Sequence, residues 1–234
     1  MARMERPESP GLTGARAVVF DAYGTLFDVA SAAERARESL GAKWQPLADL
    51  WRAKQLQYTW LRALMGRHAD FWHVTGDALD FAMESLGIAD AGLRERLMSL
   101  YERLGAYPEA RGVLEQLRAA GLKLAILSNG APRMLAAAAE SAGLAPLLDA
   151  VISIEEVGVY KPSPAVYRLA LDRLGLWPYE IAFVSANGWD ACGAKAAGLR
   201  VAWCNRAGQP RERIPEAPDA EISSLAELPA LVGA

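Results

Sequence analysis

Five short apolar runs punctuate the chain: AVVF at 17–20, KLAIL at 123–127, AVISI at 150–154, IAFVS at 181–185 and RVAWC at 200–204. Each is nearly continuous rather than alternating, which is the pattern of strands covered on both faces, as in a parallel sheet. Helical patterns accompany them near 108–120, 131–142, 163–174 and 189–197. Ser163 and Pro164 read as an N-cap followed by Pro at the first helical position. Gly121, Gly143, Gly175 and Gly198 stand where helices should stop. This alternation predicts an α/β fold built on a doubly wound parallel sheet.

Positions 28–106 break the rhythm. They hold no strand pattern, and amphipathic helices are expected near 30–40, 46–65, 70–86 and 91–104. The second carries Leu47, Leu50, Trp51, Tyr58, Leu61 and Met65 near helical spacing. The organisation expected is therefore a core domain of residues 12–27 and 107–234, an inserted helical subdomain at 28–106, and a polar tail at 1–11. After about 207 the chain is loop-like before a last short strand and helix.

Composition narrows the functional class. With 234 residues, 52% of them apolar, the chain can bury a sizeable core and carry one inserted subdomain. The formal charge is -3 and the basic residues are scattered, so no nucleic-acid partner is expected. No apolar run approaches the roughly 18 residues of a membrane span. The first residues, MARMERPESPG, lack the apolar stretch of a signal peptide. Cys192 and Cys204 are the only cysteines, too few for a disulfide framework, and reduced thiols fit a cytoplasmic protein.

Ligands of open parallel sheets bind beyond the carboxyl ends of the strands. The polar residues found there are Asp21 in FDAYGTLFD, Ser128 and Asn129 in LSNG, Lys161 in VYKPS, and Ser185, Asn187 and Asp190 in SANGWD. Taken singly, each has a plain structural reading. Asp21 can cap a turn, Ser128-Asn129-Gly130 can be ordinary turn chemistry, Asp190 can be a first-turn acid favoured by the helix dipole, and Lys161 can be a solvated surface lysine. Together they require four unrelated loops to carry matching polar sets, and that favours a site.

With these motifs in hand, the chain resembles the haloacid dehalogenase superfamily from about Ala15 to about Ala230. FDAYGTLFD is similar to its nucleophile motif, LSNG to the second motif, VYKPS to the lysine motif and SANGWD to the fourth. The resemblance implies a Rossmann-like parallel-sheet core with an inserted all-helical cap. Phosphatases of that superfamily have a second Asp two residues after the nucleophile and acidic magnesium ligands opening the fourth motif. Here those positions are Tyr23 and Ser185-Ala186-Asn187. A halide leaves as a stable anion and needs neither group, and no metal or other cofactor is expected. The cap stretch WRAKQLQYTWLRALMGRHADFW, residues 51–72, resembles the (S)-2-haloacid dehalogenases in particular.

That resemblance implies hydrolysis of short (S)-2-haloalkanoic acids to (R)-2-hydroxyalkanoic acids and halide. Asp21 is the implied nucleophile and forms an ester that water then hydrolyses. Arg52 receives the halide, where a cation is needed as charge develops on the halogen. Lys161 keeps Asp21 ionised, Thr25 fixes its side chain, and Ser185 supports Lys161. Asn187 and Asp190 hold or activate the water, and Tyr167 bonds the charged cluster or simply packs. Ser128 and Asn129 bind the substrate carboxylate or line its pocket, and backbone near Ala22 and Tyr23 suits an anion. Tyr23, Leu56, Phe71 and Trp189 wall off water, or are ordinary packing. His68 and His73 have no partner at site spacing. Ala53, beside the arginine, is a place where relatives carry a longer polar residue. Members are often homodimers. Two rival readings remain open at this level: a metal-dependent phosphatase of the superfamily, and a non-catalytic binder of small acids.

Overall fold

The apolar runs become five strands of a six-stranded parallel sheet in the computed structural model, which describes residues 11–29, 37–100 and 104–234. The strands are β1 (Ala17–Phe20), β2 (Lys123–Ser128), β3 (Ala150–Ser153), β4 (Ile181–Ser185), β5 (Arg200–Cys204) and a short β6 (Ala220–Ile222). Their spatial order is β3-β2-β1-β4-β5-β6. The chain builds outward from β1 to β3, then crosses back to place β4 on the other side of β1. This makes β1 the switch point, where an open sheet forms its crevice. All of β1 and β4 is buried, as continuous apolar runs require when both faces are covered.

In the core, helices α4 (Ala110–Ala119), α5 (Pro132–Ser141), α6 (Pro164–Leu174) and α7 (Gly188–Ala196) cover the sheet, and a short α8 (Leu228–Val232) closes the chain. The α4 helix buries Ala110, Val113, Leu114 and Leu117, a spacing that lines one face. Each such Leu or Val contributes about 1.5–3 kcal/mol when fully buried. Gly175 ends α6 in the left-handed conformation, φ 65°, which a side chain would strain. Pro164 opens the same helix, as expected.

Between β1 and α4 lies the all-helical cap. It contains α1 (Trp44–Met65), α2 (Phe71–Ser85) and α3 (Ala91–Leu100), with a short helical segment at Arg37–Leu40. The helix expected at 30–40 falls largely outside the described residues, as do the end of the one expected at 91–104 and all of the polar segment 1–11 except Gly11. Two connections leave the core side by side. Phe27 bridges Ala106, the Asp28 N–H donates to the Gly105 carbonyl at 2.9 Å, and the Tyr107 N–H donates to the Leu26 carbonyl at 2.9 Å.

One part of the helical pattern is corrected. The buried stripe of α1 is Leu47, Trp51, Gln55 and Thr59, whereas Leu61 is 43% exposed and Met65 62% exposed. The polar members stay inside because their hydrogen bonds are met there, Gln55 by Thr75 of α2 and Thr59 by the Leu56 carbonyl of its own helix, so Leu61 and Met65 are left on the outer face.

Candidate active site

Register carries the site to one place. Phe20 of β1 lies opposite Ile126 of β2 and Val184 of β4, so Asp21 emerges between the ends of those two strands. The Asp21 N–H still donates to the Val184 carbonyl at 2.8 Å, which ties the nucleophile position to the sheet. Gly24, with φ 85°, then turns the chain back, and its N–H donates to the Phe27 carbonyl at 2.8 Å. A side chain at that φ would be strained.

Asp21 is buried, and its carboxylate is held by three donors. Lys161 Nζ donates to Oδ1 at 3.0 Å, Asn187 Nδ2 to Oδ2 at 3.0 Å, and Thr25 Oγ1 to Oδ2 at 3.3 Å. Thr25 is itself pinned, since its Oγ1 accepts the Ala186 N–H at 2.8 Å. Lys161 is buried and also donates to Asp190 Oδ2 at 2.9 Å. Asp190 is fully buried, and its other oxygen accepts the Tyr167 hydroxyl at 2.7 Å. The ammonium lies 5.0 Å from the Phe183 ring, a further favourable contact for a buried cation.

Burial alone pushes the Lys161 ammonium down, but Asp190 and Asp21 outweigh it and hold the group above the ordinary lysine range. For Asp190, burial is the largest influence and raises its carboxyl; the Lys161 charge opposes this and Asp21 adds to it, so the group sits above the usual carboxylate range. Burial and the neighbouring Asp190 charge raise the Tyr167 phenol, which stays protonated as a donor.

The cap completes the cluster. Arg52 projects from α1, and one of its nitrogens donates to Asn187 Oδ1 at 3.0 Å. The Asn187 amide therefore joins Arg52 to Asp21. A guanidinium needs an acceptor and a carboxylate needs a donor, so one amide orientation satisfies both. The second Arg52 amino group donates to Gln55 Oε1 at 2.7 Å.

The second strand end offers anion donors. Ser128 Oγ accepts the Gly130 N–H at 3.1 Å and keeps a hydroxyl proton to give. Asn129 Oδ1 accepts the Lys161 N–H at 3.1 Å, which turns its NH2 group the other way. Aromatic rings form the seam between cap and core. Tyr23 stacks on Phe71 with centroids 5.9 Å apart, Phe71 lies 6.3 Å from Tyr160, and Trp189 meets the cap residue Trp60 edge-on at 5.4 Å. Leu56, one turn along from Arg52, is half-buried.

Several expectations change in detail. Ser185 does not reach Lys161; its Oγ accepts the Asn187 N–H at 3.1 Å, because the chain turns tightly there and the hydroxyl bonds within its own loop. Ala53, beside Arg52 in the chain, is exposed. His68 does find a partner: it bonds Glu155 across the seam at 2.8 Å and lies 5.4 Å from the Tyr160 ring, which makes it a cap-to-core latch. His73 is exposed beside Asp77. Among the described residues, no group of three or more His, Cys, Asp or Glu is gathered to hold a metal. Gln55 and Thr75 were missed. The signal for Gln55 was its spacing of four from Trp51 and eight from Leu47, which placed a polar residue on the buried stripe.

A parallel sheet with β1 at its switch point, a helical cap, and a buried aspartate–lysine–aspartate cluster at the strand ends define a cap-covered hydrolase of Rossmann-like architecture. The family model for haloacid dehalogenase-like hydrolases matches residues 15–198. The chain is 47% identical to (S)-2-haloacid dehalogenase 1 of Pseudomonas sp. (strain CBS-3), over 93% of this chain and 96% of that protein. It is 46% identical to (S)-2-haloacid dehalogenase 4A of Burkholderia cepacia, over 91% and 93%. The structure of the L-2-haloacid dehalogenase from Xanthobacter autotrophicus with chloropropionic acid covalently bound superposes with a TM-score of 0.86, at 42% identity, covering 93% of this chain and 98% of that one. The chain belongs to the haloacid dehalogenase-like hydrolase family.

Proposed function

We propose that the protein hydrolyses short (S)-2-haloalkanoic acids to (R)-2-hydroxyalkanoic acids and halide through an ester on Asp21. The observation that carries this reading is the cap arginine: Arg52 is bonded to the same Asn187 amide that holds the Asp21 carboxylate. That puts a permanent cation one residue away from the nucleophile, where a departing halide needs it. An Asp21 oxygen attacks C2, the carbon–halogen bond breaks with its electron pair going to the halide, and C2 inverts. Water then attacks the Asp21 carboxyl carbon, the bond from that carbon to the ester oxygen breaks, the hydroxyacid leaves with one proton from water, the second proton is released, and the carboxylate is restored with one oxygen from water. Lys161 and Thr25 keep Asp21 ionised and aimed. Asp190, fixed by Lys161 and Tyr167, and Asn187 set the position of the attacking water. Ser128 and Asn129, with their free donors, and backbone at Ala22 and Tyr23 receive the substrate carboxylate. Tyr23, Leu56, Phe71 and Trp189 keep bulk water from the reacting carbon. Tyr23 stands where a phosphatase of this architecture would need an acid, and the turn at Ser185-Ala186-Asn187 offers no carboxylate, so the chemistry runs without a metal.

The same reading divides the chain into a core of 12–27 and 107–234 and a cap of 28–106. It makes the protein a homodimer, for which the outer face of α1 and α2 offers exposed Leu61, Leu64, Met65 and Phe81. It places the protein in the cytoplasm, in keeping with Cys192 and Cys204, which are both buried free thiols. No helix among the described residues is long and apolar enough to cross a membrane.

The test is halide release from (S)-2-chloropropionate in the presence of chelator. Release is expected from the wild type and not from Asp21→Asn, with both proteins folded by circular dichroism. Folded wild type that releases no halide, or that turns over p-nitrophenyl phosphate with magnesium instead, overturns the proposal.

A further inference from the structure

The Gln55 side chain is fully buried inside the cap, where leucine would pack without a polar cost. Its hydrogen bonds have a direction. The Thr75 hydroxyl donates its only proton to the Phe71 carbonyl at 2.6 Å, so Thr75 Oγ1 must accept from its other neighbour. That neighbour is Gln55 Nε2, at 2.8 Å. With Nε2 committed, Oε1 is turned to Arg52, which donates to it at 2.7 Å. A flipped amide would set its NH2 against the guanidinium and its carbonyl oxygen against a hydroxyl oxygen that needs a donor. The order Phe71 carbonyl, Thr75 hydroxyl, Gln55 amide, Arg52 guanidinium is thus fixed from one end.

Arg52 is consequently gripped at two points, by Gln55 within the cap and by Asn187 from the core. Two fixed bonds set the plane of a planar guanidinium and leave its remaining N–H groups for an anion. A single bond to Asn187 would leave it free to swing. The Gln55 bond is also short and charge-assisted, the stronger kind.

We infer that Gln55 and Thr75 are positioning residues that hold Arg52 in the orientation that receives the leaving halide. This rests on the dehalogenase reading of the site. Neither residue touches substrate; both act through Arg52. Thr75→Val keeps the shape and removes the hydroxyl, and Thr75→Ser keeps the hydroxyl. Loss of one hydrogen bond that aligns a charged group costs roughly ten- to a hundredfold. Thr75→Val is therefore expected to lower kcat on (S)-2-chloropropionate by roughly tenfold or more. The loss on (S)-2-bromopropionate should be smaller, because a better leaving group leans less on the cation. Inhibition by added bromide should weaken, KM should change little because the substrate carboxylate is held elsewhere, and Thr75→Ser should restore all of these. Gln55→Glu serves as a second variant: it keeps an acceptor for Arg52, neutralises the cation and loses the donor to Thr75, so bromide inhibition should weaken again.

A loss equal for both halogens with bromide inhibition unchanged would mean that Thr75 only supports the cap, and the inference fails. So would wild-type behaviour in both Thr75→Val and Gln55→Glu. Absence of halide release from the wild type, run alongside, defeats the underlying reading instead, which keeps the two failures apart.

Discussion

Replacing Lys161 with methionine removes a buried cation and leaves two carboxylates facing the space it filled. In the wild type its ammonium is 3.0 Å from Asp21 and 2.9 Å from Asp190, with the side chains of Lys161 and Asp190 almost wholly buried. At an effective dielectric near 20, each contact is worth roughly 5 kcal/mol before desolvation is counted. Dehydration of three buried ions offsets most of that, but the variant keeps the desolvated carboxylates and loses the attraction. The expected net loss at pH 8 is about 3–5 kcal/mol, the range for breaking a buried pair by removing one partner. The loss should depend on pH with a defined sign. Two nearby carboxylates without a cation share a proton, so the folded variant binds it more readily than the unfolded chain does. Stability of the variant then falls as pH rises, and its deficit against the wild type narrows from pH 8 to pH 5. The Lys161 contribution in the wild type has a separate window, because that group is held above the ordinary lysine range. That contribution is complete below the unfolded lysine pKa and is lost only as pH rises through the higher folded value, well to the alkaline side. Urea denaturation at several pH values measures both curves. A deficit under about 1 kcal/mol at pH 8, well short of the 3–5 expected for a broken buried pair, or one that does not shrink on acidification, would refute the picture of a lysine neutralising two buried acids.

Two further substitutions probe contacts that support the site from outside. In Gly193→Ala, the new methyl would lie 2.6 Å from both Pro162 Cβ and the Tyr167 hydroxyl, so α7 must shift or Tyr167 must let go of Asp190; a stability loss of about 1–3 kcal/mol, read by thermal melting, should accompany reduced turnover. Arg206→Met strips the charge that bonds Glu109 at 2.5 Å and the Thr25 carbonyl at 3.1 Å and lies 3.7 Å from the Tyr107 ring centre. Burial raises the Glu109 carboxyl, but Arg206 and nearby hydrogen bonds outweigh it and leave the group below its usual range. That stabilisation is present above the ordinary carboxylate pKa and is lost as pH falls through the lowered folded value. The variant should therefore lose about 1–3 kcal/mol at neutral pH, and the gap to wild type should close in acid; a pH-independent gap in urea midpoints would contradict this.

The strands and their parallel pairing were legible because buried strands need continuous apolar runs, and no other element explains four or five apolar residues between helical stretches. The core helices were legible for a similar reason, with Pro164 and Gly175 marking start and stop. Asp21 and Ser128 could be found because each stands at a strand end, and Asp190 and Lys161 because each follows in the loop or helix start beyond one, so sequence order nearly reproduces spatial order there. Arg52 could be found only through resemblance to other chains. Nothing local in a helix distinguishes an arginine that faces the core from one that faces water.

Which polar groups meet was decided by the fold alone. Gln55 stands at core spacing but has no visible partner in the sequence until α2 brings Thr75 beside it. Leu61 and Met65 look like core until those polar bonds claim the inner face. Ser185 looks like a partner of Lys161 until the turn directs its hydroxyl to the Asn187 N–H. Arg206 and Thr25 are 181 positions apart, and no periodicity relates them. The physical reason is common to all four. Hydrophobic periodicity sets which face of an element turns inward, and that is a local property. Which polar group meets which depends on how the elements are finally arranged, and there the balance between losing water and gaining a hydrogen bond is settled pair by pair.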